Sequence, residues 1–130
     1  MLLEALCGQT HAPPVSLPLL QNAGGLWVSD WEPLLPALLD QTRPARQRAA
    51  CFHNTLAHAL LAQALQARES HGIGRIGLSG GVFQNRLLTD TTCGLLEAAG
   101  FDVTLPEYVP VNDAGISYGQ VIEFGSRKQI

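Results

Sequence analysis

The stretch GRIGLSGGVFQNRLL, residues 74–88, decides the fold. Its first half is apolar around Ile76, which is typical of a short buried strand. Its second half predicts a helix over about residues 84–99. Gly80 and Gly81 lie between the two. The stretch therefore predicts a strand, a glycine turn and a helix in direct succession.

The rest of the chain alternates strands with long helices. Residues 17–31 predict two short strands around a turn, and residues 101–106 predict another strand that ends at a proline. The order β-β-α-α-β-α-β-α favours an α/β fold over a helical bundle. The predicted helices cover residues 31–40, 43–71, 84–99 and 114–124, after a short helical segment at residues 1–8.

The composition indicates a compact domain with a covered surface. The chain has 130 residues, of which 46% are hydrophobic and 15% are charged, so it can bury a core. Soluble domains usually carry about 25% charged residues, and the shortfall is what a domain with a buried interface would show. The net charge is −3 and there is no basic run, which disfavours electrostatic binding to nucleic acid.

The cysteines and the hydropathy pattern indicate a reducing compartment. Cys7, Cys51 and Cys93 are odd in number and widely spaced, which disfavours a disulfide framework or a structural zinc site. They are expected to be small, buried, apolar residues. The apolar run at residues 2–6 is too short for a membrane span or a signal peptide. A cytoplasmic location is therefore expected.

The double glycine has two open interpretations. Gly80 and Gly81 could serve only a tight turn, because glycine reaches backbone conformations that are closed to other residues. They could also let a nucleotide approach the N-terminus of the next helix, beyond the carboxyl end of a strand. Asn85 would then offer a donor and an acceptor to a base or a sugar. The chain contains no G-x-x-x-x-G-K-[ST] phosphate-binding loop.

A second polar motif, VPVNDAGISYGQ, covers residues 109–120. Asp113 lies where a loop enters the last predicted helix. It could cap that helix, or it could hold a divalent metal beside a phosphate. Gly115 and Gly119 are one helical turn apart, which predicts a bare face for close packing of the backbone.

The other candidate residues have simpler explanations. His53 and His58 are five positions apart, whereas facing positions on a helix are three or four apart, so they are a poor metal pair. His53 is expected to be a hydrogen-bonded, half-buried residue. Trp27 and Trp31 are expected to be packing residues. Ser79 has no recognisable histidine and acid partners, so a hydrolase triad is not predicted.

Together these motifs resemble the C-terminal end of the HypF carbamoyltransferases, which mature nickel–iron hydrogenases. The resemblance runs over nearly the whole chain, and its motifs occur in the family's order: DWEPLLPALL, FHNTLAHAL, LSGGVFQNRLL and GFDVTLPEYVPVNDAGISYGQ. The double-glycine motif also resembles the adenosine-contacting segment of the actin, hexokinase and Hsp70 ATPases. The implied fold is the C-terminal lobe of such a ribonuclease H-like α/β ATPase domain, a partial Kae-type domain over residues 1–130.

The resemblance implies a reaction, its cofactors and its partners. HypF uses carbamoyl phosphate and ATP to form carbamoyl adenylate, and it passes the carbamoyl group to the C-terminal cysteine of HypE for cyanide-ligand synthesis. Gly80, Gly81 and Asn85 would contact the nucleotide. Asp113 would hold a divalent metal (iron, zinc or magnesium) beside its phosphates. The implied partners are the missing N-terminal lobe or a full HypF-type chain and HypE, with no membrane and no nucleic acid.

The chain also departs from this family. It has no H-x-x-x-H motif, which supplies the family's metal histidines, and it lacks the first ATP-binding lobe. Ala114 stands where the family usually has glycine, which would narrow the approach of a phosphate if that residue needs positive φ. The isolated chain is therefore expected to be inactive, to bind metal only with the missing lobe and to form a homo-oligomer over its uncovered face. The alternative is a non-catalytic module that binds a nucleotide or a partner.

Overall fold

A computed structural model describes residues 2–8, 10–107 and 109–127. These residues form helices and two small sheets in the predicted order. Two 3₁₀ turns, Gly81–Gln84 and Asp113–Gly115, precede the last two helices. The helices and strands, in chain order, are α1 (Leu2–Cys7), β1 (Leu19–Gln21), β2 (Trp27–Ser29), α2 (Leu34–Leu39), α3 (Ala45–His71), β3 (Arg75–Gly77), α4 (Arg86–Ala98), β4 (Asp102–Thr104) and α5 (Ile116–Arg127).

The two sheets have different pairing. Strands β1 and β2 are antiparallel, and the turn between them is closed by the side chain of Asn22, whose Oδ1 accepts from the backbone N–H groups of Gly24 and Leu26. Strands β3 and β4 are parallel, with Ile76 opposite Val103, and α4 is the crossover between them. Because parallel strands point the same way, the segments that follow β3 and β4 emerge at one edge of the sheet.

The core lies between α3, α4 and the parallel sheet. Its buried members are Ala64 on α3, Leu96 on α4, and Leu78 and Phe101 beside the strands. The guanidinium group of Arg68 lies 4.3 Å from the centre of the Phe101 ring and donates to the carbonyl of Ala99 at 2.8 Å. This packing fixes α4 relative to α3, the longest of the described helices.

Polar side chains of α3 hold the proline-containing segment that precedes β1. Asn54 Nδ2 donates to the carbonyl of Ala12 at 2.8 Å, and the hydroxyl of Thr55 accepts from the N–H of Val15 at 2.9 Å. A second small core joins this region to α1 through the buried side chain of Cys7. Burial is confirmed for Cys7 and Cys51, whereas Cys93 is partly exposed.

Several large apolar side chains are exposed. Trp27 and Trp31 are 43% and 45% exposed, so the prediction that they are packing residues is wrong. Trp27 lies on a sheet of two strands that buries only Ser29 of β2, and Trp31 lies beyond the end of β2. No residue of α5 is buried, and Leu2 of α1 is 79% exposed. None of the described helices is long and apolar enough to cross a membrane.

Candidate functional site

The double glycine lies at the junction of a strand and a helix, as predicted. The N–H of Leu78 donates to the carbonyl of Thr104 at 3.0 Å, which continues the pairing of the parallel strands beyond β3. Gly80 follows with φ 114° and ψ 153°, a conformation that only glycine adopts readily. Gly81 then begins the 3₁₀ turn that leads into α4.

Side-chain hydrogen bonds tie this turn to α4. Asn85 is the N-cap of α4, and its Oδ1 accepts from the N–H of Leu88 at 3.0 Å. The hydroxyl of Thr89 donates to the carbonyl of Phe83 at 3.0 Å and lies 2.9 Å from that of Asn85. Asn85 therefore stands one residue before the helix, whereas the sequence predicted it just inside.

The other end of the Asn85 amide meets a buried histidine. His53 is 2% exposed, more deeply buried than expected, and its Nε2 is 2.7 Å from Asn85 Nδ2. Its Nδ1 is 2.8 Å from the carbonyl of Ala49 and 3.4 Å from Cys7 Sγ. Because a carbonyl only accepts, Nδ1 carries the proton and Nε2 accepts from Asn85. Burial, with a smaller contribution from the Glu4 carboxylate, raises the pKa of the Cys7 thiol, so the thiol is protonated.

The two motifs meet at the carboxyl edge of the parallel sheet. The N–H of Gly80 donates to the carbonyl of Val111 at 2.6 Å. A Cβ placed on Gly81 would lie 3.9 Å from Cβ of Asn112. The sequence contains no pairing signal between these segments. Their contact follows from the parallel register of β3 and β4, which directs both loops to one edge.

Asn112, and not Asp113, caps the turn before α5. Its Oδ1 accepts from the N–H of Ala114 at 3.1 Å. Asp113 is exposed in the first turn, so its carboxylate is not used as the cap. In the described part of the chain every positive φ belongs to a glycine, so Ala114 does not have the positive φ on which its expected narrowing of a phosphate's approach depended.

A cleft of about 310 Å³ lies between the two motifs. Ser79 lines it from the first motif, and Asn112, Gly115 and Gly119 line it from the second. Gly80 and Gly81 are not among its lining residues, so this cleft lies beside the glycine turn.

Metal ligands are sparse in this lobe. Across the described ranges, no three histidine, cysteine, aspartate or glutamate side chains come close enough together to hold a metal ion. Asp113 can supply one exposed carboxylate, and its neighbour Asn112 lines the cleft. A metal held there would need its remaining ligands from a substrate or another chain segment.

Replacing Gly115 with alanine is expected to loosen the loop through which the second motif contacts the glycine turn. An added Cβ would lie 2.7 Å from the carbonyl oxygen of Pro110 and 3.0 Å from Cγ1 of Val109. Since one of these atoms is backbone, the loop must move, at a cost of about 1–3 kcal/mol. Hydrogen–deuterium exchange should then be faster at the N–H of Gly80, whose acceptor lies in that loop.

Gly119→Ala is the matched control for this change. Gly119 lies four residues later, on α5, and a Cβ there would have no atom within 4 Å apart from its neighbours and its own helix backbone. Exchange at Gly80 should be unchanged in that variant. Equal exchange at Gly80 in the wild type and in Gly115→Ala would contradict the expected coupling between the motifs.

Two residues at the site were not identified from the sequence. His53 contacts Asn85 across 32 positions, and a histidine at a helical core position carries no signal for such a contact. Asn112 had a local signal, since asparagine before a helix start is a preferred cap. That signal was assigned to Asp113, its neighbour.

Comparison with known proteins gives consistent matches. Residues 1–120 match the family described as carbamoyltransferase, Kae1-like domain, second subdomain. The chain is 33% identical over 122 residues to carbamoyltransferase HypF of Rhodobacter capsulatus, which covers 94% of this chain and 15% of that protein. It is 36% identical over 94 residues to carbamoyltransferase HypF of a Synechocystis species, covering 72% of this chain and 12% of that protein.

A solved structure extends the likeness to three dimensions. The crystal structure of a full-length HypF in its phosphate- and nucleotide-bound form matches with a TM-score of 0.81 and 32% identity, over 91% of this chain and 19% of that one. The predicted α/β fold, part of an ATPase-type domain, is confirmed. The chain spans less than a fifth of the length of each of these three proteins.

Proposed function

Because the chain belongs to the carbamoyltransferase family, where it matches the second subdomain of the Kae1-like domain, we propose that it is the nucleotide-contacting lobe of an enzyme that forms carbamoyl adenylate. The whole enzyme would use carbamoyl phosphate and ATP and pass the carbamoyl group to the C-terminal cysteine of HypE, in the cytoplasm. The product would serve cyanide-ligand synthesis in hydrogenase maturation. The missing N-terminal lobe, or a full HypF-type chain, would complete the active site.

One observation carries the proposal: the glycine turn and the Asp113 loop meet at the carboxyl edge of the parallel sheet. The 2.6 Å hydrogen bond from Gly80 to Val111 joins them directly. In open α/β sheets this edge is where ligands bind. The contact puts the glycine turn beside the loop that carries the exposed Asp113 carboxylate, and a metal-linked phosphate needs both kinds of group.

The residues present could contact part of a nucleotide, and they supply one ligand of a metal site. Gly80 and Gly81 offer backbone with no side chain in the way, and Asn85 keeps one N–H and one oxygen lone pair after its internal bonds. Asp113 would supply one ligand to iron, zinc or magnesium. Such a metal would neutralise phosphate charge once the missing lobe contributes the other ligands.

Titration with ATP, with and without the missing lobe, tests the proposal. The chain would be joined to the preceding part of the Kae1-like domain, taken from the Rhodobacter capsulatus relative. Nucleotide should bind the joined protein much more tightly than the lobe alone, because each lobe supplies only one wall of the site. Formation of an adenylate releases pyrophosphate, so carbamoyl phosphate-dependent release of pyrophosphate reads out the reaction. Failure of the joined protein to bind ATP would refute the proposal.

The second candidate is a non-catalytic nucleotide- or partner-binding module. The sparse metal ligands of the described residues favour it. It predicts nucleotide binding that the missing lobe does not improve, with no release of pyrophosphate. The same titration therefore separates the two functions.

The isolated chain is expected to self-associate as its concentration rises. Leu2 and Leu6 on α1 and Val121 and Ile122 on α5 are exposed, and large exposed apolar areas usually mark an interaction surface. Sedimentation velocity at several concentrations measures the effect. Replacing either pair by lysines should shift the equilibrium toward monomer if that helix takes part. A clean monomer at high concentration in the wild type would favour the independent module.

A further inference from the structure

We propose that His53 is a positioning residue that fixes the side-chain amide of Asn85, so that Asn85 caps α4 and offers its remaining polar groups to the nucleotide. The inference deepens the proposed function and rests on it for the identity of the ligand. His53 itself is buried and would not touch the nucleotide.

The chemistry of the groups around His53 fixes which atom donates and which accepts in each hydrogen bond. Nδ1–H donates to the carbonyl of Ala49 at 2.8 Å, and Nε2 accepts from Asn85 Nδ2 at 2.7 Å. Asn85 Oδ1 in turn accepts from the N–H of Leu88 at 3.0 Å. Rotating the Asn85 amide by half a turn would set oxygen against the Nε2 lone pair and N–H against N–H. Only one orientation of the amide is therefore satisfied.

This single orientation has a consequence for binding. An asparagine side chain on a surface normally samples several orientations, and a ligand that needs one of them must pay the ordering entropy. In this lobe α3 and α4 are packed together through the main core, so His53 holds the amide before any ligand arrives. The second N–H and the second lone pair of Asn85 then point in fixed directions.

Three substitutions at His53 separate positioning from packing. A glutamine amide reaches the place of Nε2, an asparagine amide reaches only that of Nδ1, and leucine fills the space without either group. In the joined protein, His53→Gln should bind ATP within roughly twofold of wild type. His53→Asn and His53→Leu should bind about five- to tenfold more weakly, as expected for one lost hydrogen bond. Equal affinity in all three variants, or equal loss in all three, would overturn the proposal.

A double variant shows whether His53 acts through Asn85. Asn85→Ala removes the ligand contact itself, so adding His53→Leu should weaken ATP binding no further. A further loss equal to that of His53→Leu alone would mean that His53 acts by some other route. Thermal melts identify any variant that has lost its fold, and His53→Gln, whose Oε1 can accept at the place of the imidazole Nε2, then decides the question.

Nitrogen NMR on the 130-residue chain provides a test of the His53–Asn85 contact that does not depend on nucleotide binding. The imidazole of His53 should be the Nδ1–H tautomer, and the side-chain amide signals of Asn85 should shift in His53→Leu but much less in His53→Gln. An Nε2–H tautomer, or unchanged Asn85 signals in His53→Leu, would overturn the positioning role. If the joined wild type binds no ATP while these signals behave as expected, the proposed function fails and the internal contact stands.

Discussion

Gly81→Val is expected to abolish nucleotide binding by the joined protein, while its fold stays largely intact. Gly81 is exposed at the start of the turn, and its φ lies outside the left-handed region, so its backbone accepts a side chain. A Cβ there would meet Asn112 Cβ at 3.9 Å, an ordinary contact. The branched valine would cover the backbone that a nucleotide must approach. We expect the affinity for ATP to fall at least about a hundredfold.

Two other glycines make this test specific. Gly80→Ala strains the backbone, because φ is 114°, so it should destabilise the fold by about 1–3 kcal/mol as well as weaken binding. Gly94→Ala is the control: Gly94 lies on an exposed part of α4 with no atom near an added Cβ. It should raise stability by about 0.5–1 kcal/mol and leave ATP affinity unchanged. Gly81→Val with wild-type affinity would remove the turn from the nucleotide site.

Local signals in the sequence were enough to predict the elements of the fold. Apolar periodicity placed α3, the double glycine before it placed α4, and the left-handed Gly72 that ends α3 has φ 68°. Glycine and proline punctuation placed the hairpin and β4. The capping residues were harder to predict, because several of the residues near each helix start are of types that could serve as the cap. The structure selects Asn85 and Asn112 through single hydrogen bonds.

The sequence predicted the two motifs of the site, but it did not predict that they lie together. The sequence singled out Gly80 and Asp113, and nothing in it shows that their segments touch. The contact depends on Ile76 pairing with Val103 in parallel, a long-range register that no local pattern records. The contact of His53 with Asn85 is of the same kind, because it depends on how α3 packs on α4. Exposure of Trp27 was missed since a two-stranded sheet offers too little surface to bury it.

Asp113→Asn is expected to lower adenylate formation by the complete protein about a hundredfold at limiting metal. The amide keeps the shape of the carboxylate but loses its charge, and hard divalent cations prefer charged oxygen ligands. Asn112 already caps the turn, so the fold does not depend on Asp113. The concentration of divalent metal that gives half-maximal pyrophosphate release should therefore rise at least about tenfold. ATP affinity measured without metal should stay the same.

The metal content of the isolated chain provides a second test of the role of Asp113. One monodentate carboxylate cannot hold a transition metal tightly, because tight binding needs several ligands fixed together. The purified 130-residue protein should therefore contain no stoichiometric iron or zinc. Asp90→Asn is the matched control in the complete protein, since Asp90 is exposed on α4 and lies 3.7 Å from Arg86. If the Asp113 and Asp90 variants need the same metal concentration as the wild type, Asp113 is a surface carboxylate and the metal lies elsewhere in the enzyme.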